Sequence, residues 1–167
     1  RILREVLVLL TEKSIELVDY SSLSDEEKDS QRSNFKENIF PLLTPLAMDP
    51  CHPFPFISNR ALNLLVSLRH KGGSLSHIAR IKVPVTKGIA PRSIRVGEAY
   101  KFVRLEDVIT HNLDLLFTGL EIISCELFRV TCNAIVEVEE DAADDLLAVI
   151  ASELRYRHFA PSFRLHV

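Results

Sequence analysis

Several groups of side chains have the types and spacing that chemistry requires, and each also has a plainer use. Arg80, Lys82, Arg92, Arg95, Lys101 and Arg104 are the best candidates for holding a polyanion, because several alternate along strand-like stretches. The same alternation describes the solvated face of a sheet. Glu137, Glu139, Glu140, Asp141, Asp144 and Asp145 form an acidic tract suited in principle to Mg²⁺ or Ca²⁺. Two of these alternate outward from a strand pattern, and three sit where a helix N-terminus favours anions. Asp107 and His111 stand four apart on one helical face, with Asp114 a turn further on. That spacing serves general acid–base work, and equally an ordinary surface pair.

Other chemistries find little support. Only five glycines are present, and none forms a glycine-rich loop opening a helix, so neither common phosphate cradle is expected. The six histidines show no metalloprotease spacing, and Cys125 and Cys132 have no partner pair at zinc spacing. Cys51-His52 is a lone dipeptide between prolines. By these criteria no bound metal or cofactor is expected of this segment, and no catalytic residue stands out.

The elements that would position these residues follow from periodicity. Ile2, Val6, Leu9 and Leu10 have helical spacing, and residues 14–18 alternate as a short strand. Ser24-Asp25-Glu26-Glu27 has the form of a capping box opening a polar helix that reaches about Asn38. Residues 39–59 then hold five of the eight prolines, which exclude a helix or a central strand. Interleaved Phe and Leu make this a stiff extended segment laid on a core. Leu62–Arg69 and Ala79–Val83 predict a hairpin turning at Gly72-Gly73 with a basic outer face. Strands are expected at 93–96, 100–104, 121–124, 127–131, 135–139 and around 163–167. One helix is expected from Leu105 to Leu116, ended by Gly119, and another over 143–157. The class is therefore α+β, a single domain with a mixed, largely antiparallel sheet and about four helices.

Composition agrees with a folded domain. The 167 residues are 47% hydrophobic and 26% charged, with a formal net charge of −3. A near-neutral chain gives no global reason to expect a nucleic-acid partner, and a chain this long folds without a metal or disulfide staple. Three cysteines make no disulfide framework and read as free thiols of a reducing compartment. No apolar stretch approaches the ~18 residues that span a bilayer. Beginning at Arg1 in an unfinished helical pattern, the chain reads as a segment of something longer.

The proline-rich stretch carries a resemblance. Ile39-Phe40-Pro41-Leu42-Leu43-Thr44-Pro45-Leu46-Ala47-Met48-Asp49-Pro50, followed by His52-Pro53-Phe54-Pro55-Phe56-Ile57-Ser58-Asn59, closely resembles the middle, or head, domain of the long-chain polyphosphate kinase family. Further blocks match in order: Ile81-Lys82-Val83-Pro84, Ala90-Pro91-Arg92, Leu105-Glu106-Asp107-Val108-Ile109, Asn112-Leu113-Asp114-Leu115-Leu116-Phe117, Phe128-Arg129-Val130-Thr131 and Val138-Glu139-Glu140-Asp141. The likeness covers almost the whole chain. It departs at Cys132, where an arginine is expected, at Cys51, where serine is usual, and at Arg155-Tyr156-Arg157-His158-Phe159-Ala160, which replaces a denser arginine run.

The resemblance implies a parent enzyme that moves the terminal phosphoryl group of ATP onto inorganic polyphosphate, using Mg²⁺ and a phosphohistidine. In such a parent, residues 1–167 are the middle domain, and 1–38 are a helical lead-in from the preceding N-terminal domain. The catalytic histidine and the ATP contacts belong to the other domains, so this segment is implied to be inactive alone and to serve assembly. Its implied partners are the N-terminal and C-terminal domains of the same kinase, a second copy in a homodimer or larger oligomer, and polyphosphate. Arg80, Lys82, Arg92 and Arg129 are the candidate polyphosphate contacts. The implied setting is cytoplasmic, with membrane association open in the parent. A stand-alone polyphosphate- or anion-binding module without catalysis is the alternative.

Overall fold

The computed structural model describes residues 2–48, 57–73, 76–85, 90–132 and 162–166. The chain opens with α1 (Ile2–Glu12) and β1 (Glu16–Leu17). A 3₁₀ turn at Tyr20–Ser22 leads to α2 (Asp25–Asn34), a π turn at Phe35–Ile39 and a second 3₁₀ turn at Phe40–Leu42. Next come β2 (Leu46–Met48), β3 (Leu62–His70), β4 (Ser76–Lys82), β5 (Ser93–Val96) and β6 (Lys101–Arg104). The described order closes with α3 (Leu105–Thr110), α4 (Leu113–Leu116), β7 (Leu120–Cys132) and β8 (Ser162–His166).

The α+β class holds, but the strands divide between two sheets. One has the order β1-β6-β5, the other β2-β4-β3-β7-β8. Only β1 and β6 run parallel, and every other described pair is antiparallel. Adjacent hairpin strands give antiparallel ladders directly, whereas β1 reaches β6 from far away in sequence. β3 lies between β4 and β7 and is the most enclosed strand, with Leu64, Val66 and Leu68 on its core face. A single buried cluster runs from these residues through Ile81, Val96 and Val103 to Leu105, Ile109 and Phe35. It joins both sheets to the helical layer.

Local chemistry explains where elements begin and end. Ser24 and Glu27 form the expected capping box: the Glu27 amide donates to Ser24 Oγ at 3.2 Å and the Ser24 amide to Glu27 Oε2 at 2.9 Å. Beyond Asn34 the helix widens into the π turn, which keeps Phe35 and Ile39 together on the buried side. The proline-rich stretch is more structured than expected where it is described. Pro41 sits in the first turn of the 3₁₀ segment, a position that needs no amide donor, and residues 46–48 form an edge strand. Its continuation through Cys51-His52 lies outside the described residues, as do the strand expected at 135–139, the acidic tract and the helix expected at 143–157.

Two further sequence expectations change. The helix expected over 105–116 is broken into α3 and α4 at His111-Asn112. Asn112 is fully buried, and its side-chain amide donates to Val108 O at 2.8 Å, so the side chain competes with the helical ladder. The strands expected at 121–124 and 127–131 are one strand, because Cys125 and Glu126 pair with Val66 and Leu65. A bulge opposite Ser67-Leu68 absorbs the register shift that divides the apolar pattern. Gly119, at φ +82°, makes the turn into β7 that a side chain would strain.

Candidate functional site

Most of the charged groups of the helical layer close on one another. Lys101 Nζ lies 2.9 Å from both Glu27 carboxylate oxygens, tying the start of α2 to β6. Arg32, in the last turn of α2, donates to both Asp114 oxygens, at 3.0 and 2.5 Å, and to the buried Asn112 Oδ1 at 3.1 Å. Arg104 joins Asp107 at 2.8 Å to Asp19 at 3.2 Å. Arg92 Nη2 meets Glu106 Oε1 at 3.1 Å. Arg95 donates to the carbonyls of Ala99 and Glu98 and lies over the Tyr100 ring, 5.0 Å from its centroid.

These pairs set the local electrostatics. The Lys101 hydrogen bond holds the Glu27 carboxyl below its ordinary range, helped by the Ser24 amide. Arg32 does the same for Asp114, whose carboxylate in turn raises the Arg32 guanidinium. Depressed carboxylates bind fewer protons folded than unfolded, so their stabilisation is present above the ordinary carboxylate range and lost as pH falls through it. Urea midpoints are therefore expected to drop between roughly pH 5 and pH 3. Combining Lys101→Ala with Arg32→Ala should flatten that acid limb; a limb of unchanged steepness would count against this assignment.

The four candidate polyphosphate contacts do not converge. Arg80 pairs with Leu65 and Lys82 with Asn63, so both lie on the sheet face opposite Leu64 and Val66. Arg80 is buried, whereas Lys82 is exposed with its ammonium 3.4 Å from Ser58 Oγ. Arg129 pairs with Leu62 and therefore lies on the other face. Arg92 precedes the other sheet and is engaged by Glu106. Of the wider basic set, Lys101 and Arg104 are also held by carboxylates.

No acid–base dyad forms at Asp107 and His111. The Asp107 carboxylate faces Arg104, while His111 Nδ1 lies 2.8 Å from the main-chain oxygen of Asp107. The imidazole stacks on Tyr20 with centroids 4.4 Å apart. Cys125 is half-buried, and burial pushes its thiol up, away from the reactive thiolate. Among the described residues no group of three or more His, Cys, Asp or Glu is arranged to hold a metal ion. No helix among the described residues is long and apolar enough to cross a membrane. The clasps of Arg32 and Lys101 escaped the sequence reading because their partners are 82 and 74 residues away.

Fold and side chains together define an α+β domain in which a set of cross-element ion pairs holds the layers together. Comparison with known proteins identifies which such domain it is. A family model described as the polyphosphate kinase middle domain matches residues 26–167. The chain belongs to that family. It is 42% identical over 166 residues to a polyphosphate kinase from Mycobacterium avium, covering 95% of this chain and 23% of that protein. A polyphosphate kinase from Synechocystis sp. is 46% identical over 164 residues, covering 92% of this chain and 22% of that protein. The crystal structure of polyphosphate kinase from Porphyromonas gingivalis superposes with a TM-score of 0.69 at 28% identity, over 77% of this chain and 20% of that one. The chain thus spans less than a quarter of the length of these relatives.

Proposed function

We propose that this chain is the supporting middle domain of a kinase that transfers the terminal phosphate of ATP to inorganic polyphosphate, and that the phosphorylated histidine, ATP and Mg²⁺ sites lie in the parent's other domains. One observation carries the reading: the acids and bases brought together in the helical layer are paired across elements rather than aimed into a common cleft. Phosphoryl transfer needs cations and a metal left available to the moving group, and paired charges are not available.

The helix α1 supports a neighbouring domain on this side. Ile2, Val6 and Leu9 are exposed on it at helical spacing, and it lies ahead of the residues matched by the family model. That arrangement suits a lead-in packed against the N-terminal domain of the same kinase. The C-terminal domains and a second copy are the other partners of this reading, in the cytoplasm.

Incubating the isolated chain with labelled ATP and Mg²⁺ should yield neither polyphosphate nor acid-labile phosphohistidine, and either product would overturn the reading. The alternative, an anion-binding module without catalysis, rests on Lys82, an exposed cation with a hydroxyl rather than a carboxylate against it. Under that alternative, polyphosphate binds the isolated chain in a salt-sensitive way, and Lys82→Ala weakens it roughly two- to fivefold, the worth of one exposed ion pair. Binding unaffected by salt or by Lys82→Ala would remove the alternative.

A further inference from the structure

We propose that His70 and His77 form a two-imidazole site for a first-row transition-metal ion at the turn end of the β3–β4 hairpin. His70 is the last residue of β3 and His77 the second of β4. The register pairs Leu68 with His77 and Arg69 with Ser76, which sets the two histidines diagonally on one face of the sheet. Their ring centroids are 5.3 Å apart. Both side chains are exposed.

The spacing fits a shared ion. A metal–imidazole bond of about 2.0–2.1 Å places each ring centre about 3.2 Å from the ion, so two rings at the angles of tetrahedral or square coordination lie about 4.5–5.2 Å apart. The observed separation is within a small side-chain rotation of that range. The rings now stand edge to face at 88°, so a shared ion requires a rotation about χ2 that aims one nitrogen of each at the same point. Apart from their contact with each other, neither ring makes a hydrogen bond or an ion pair among the described residues.

Backbone hydrogen bonds hold the His70 side of the pair. His70 is paired with Leu120 of β7, and its carbonyl accepts from the Gly73 amide at 2.9 Å, closing the turn. A β-carbon on Gly73 would already lie 3.4 Å from the His70 β-carbon and carbonyl oxygen, so the turn is tight under the first ligand. Arg69 and Glu121 pair with each other on the opposite face and bring no charge to the site. Imidazole ligands select Zn²⁺, Cu²⁺ or Ni²⁺ and discriminate against Mg²⁺, which prefers oxygen. With two protein ligands, water completes the coordination, and binding is weaker than at a structural zinc centre. The site is independent of the phosphotransfer reading. A motif search passes over it because the hairpin, not helical spacing, joins the two residues.

Calorimetric titration of the full chain with Zn²⁺, and with Cu²⁺ followed by electron paramagnetic resonance, tests the site. One equivalent should bind in excess Mg²⁺, with nitrogen hyperfine structure in the copper spectrum. His70→Ala and His77→Ala should each weaken that equivalent at least tenfold, and His77→Gln should do the same while keeping a polar side chain of similar reach. Far-UV circular dichroism should be unchanged in all three, because both residues are exposed. Absence of binding, binding of equal strength in the variants, or loss in only one alanine variant would each overturn a shared ion.

Discussion

Phe35→Ala is expected to lower the unfolding free energy by about 3–5 kcal/mol, the usual cost of emptying a buried phenylalanine site. Phe35 is fully buried at the point where α2 widens into the π turn, and it belongs to the cluster that joins the helical layer to both sheets. Its ring meets Phe40 edge to face, with centroids 6.2 Å apart. Collapse into the cavity is opposed from several sides, because Leu105, Val108 and Ile109 in the same cluster are themselves fully buried on a helix held by the Arg104 and Arg92 pairs. Phe40 is the internal control. It is 40% exposed, so Phe40→Ala should cost less than half as much. Urea unfolding of both variants, with the denaturant slope unchanged, measures the difference. A domain of this size has a total stability of about 5–15 kcal/mol, so Phe35→Ala alone removes a large share. Equal losses at the two positions would show that the π turn is not the keystone of the helical layer.

How much of this was legible in the sequence depends on the range of the interaction. The capping box is written in four consecutive residues, and its hydrogen bonds form as expected. The β3–β4 hairpin and the strands at 93–96 and 101–104 follow from alternation and a glycine turn. The helix break at Asn112 was not legible, because a buried asparagine reads as one more position of a helical face until Arg32 is known to meet it. The division into two sheets was hidden for a similar reason. β1 is two residues long and gains its place only by pairing with β6, from Glu16 to Lys101. The basic residues were legible as charges but not as pairs. Alternation marks Arg92, Lys101 and Arg104 as a candidate polyanion surface, whereas the fold delivers Glu106, Glu27, Asp19 and Asp107 to them. Family resemblance, carried by the ordered proline and phenylalanine blocks, was legible throughout, since it does not depend on knowing who touches whom.

Arg92 separates the structural use of a basic residue from the polyanion use most sharply. Glu106 is only 4% exposed, one of its oxygens accepts from Arg92, and the other has no hydrogen-bond partner among the described residues. Removing the guanidinium strands a carboxylate away from water. For a fully buried pair that costs several kcal/mol, but Arg92 itself is 48% exposed and solvent screens the interaction, so Arg92→Ala is expected to cost about 1–3 kcal/mol. Adding Glu106→Leu, of similar volume, should recover at least half of the loss, because the penalty resides in the unpaired charge rather than in a missing contact. Polyphosphate titration alongside the urea curves completes the comparison. A residue that holds the fold loses stability on substitution and leaves anion binding by the folded protein unchanged, whereas an exposed contact to the polymer would do the reverse. If Arg92→Ala weakens polyphosphate binding at full stability, and Glu106→Leu restores nothing, then Arg92 is a contact to the polymer and its pairing with Glu106 is incidental.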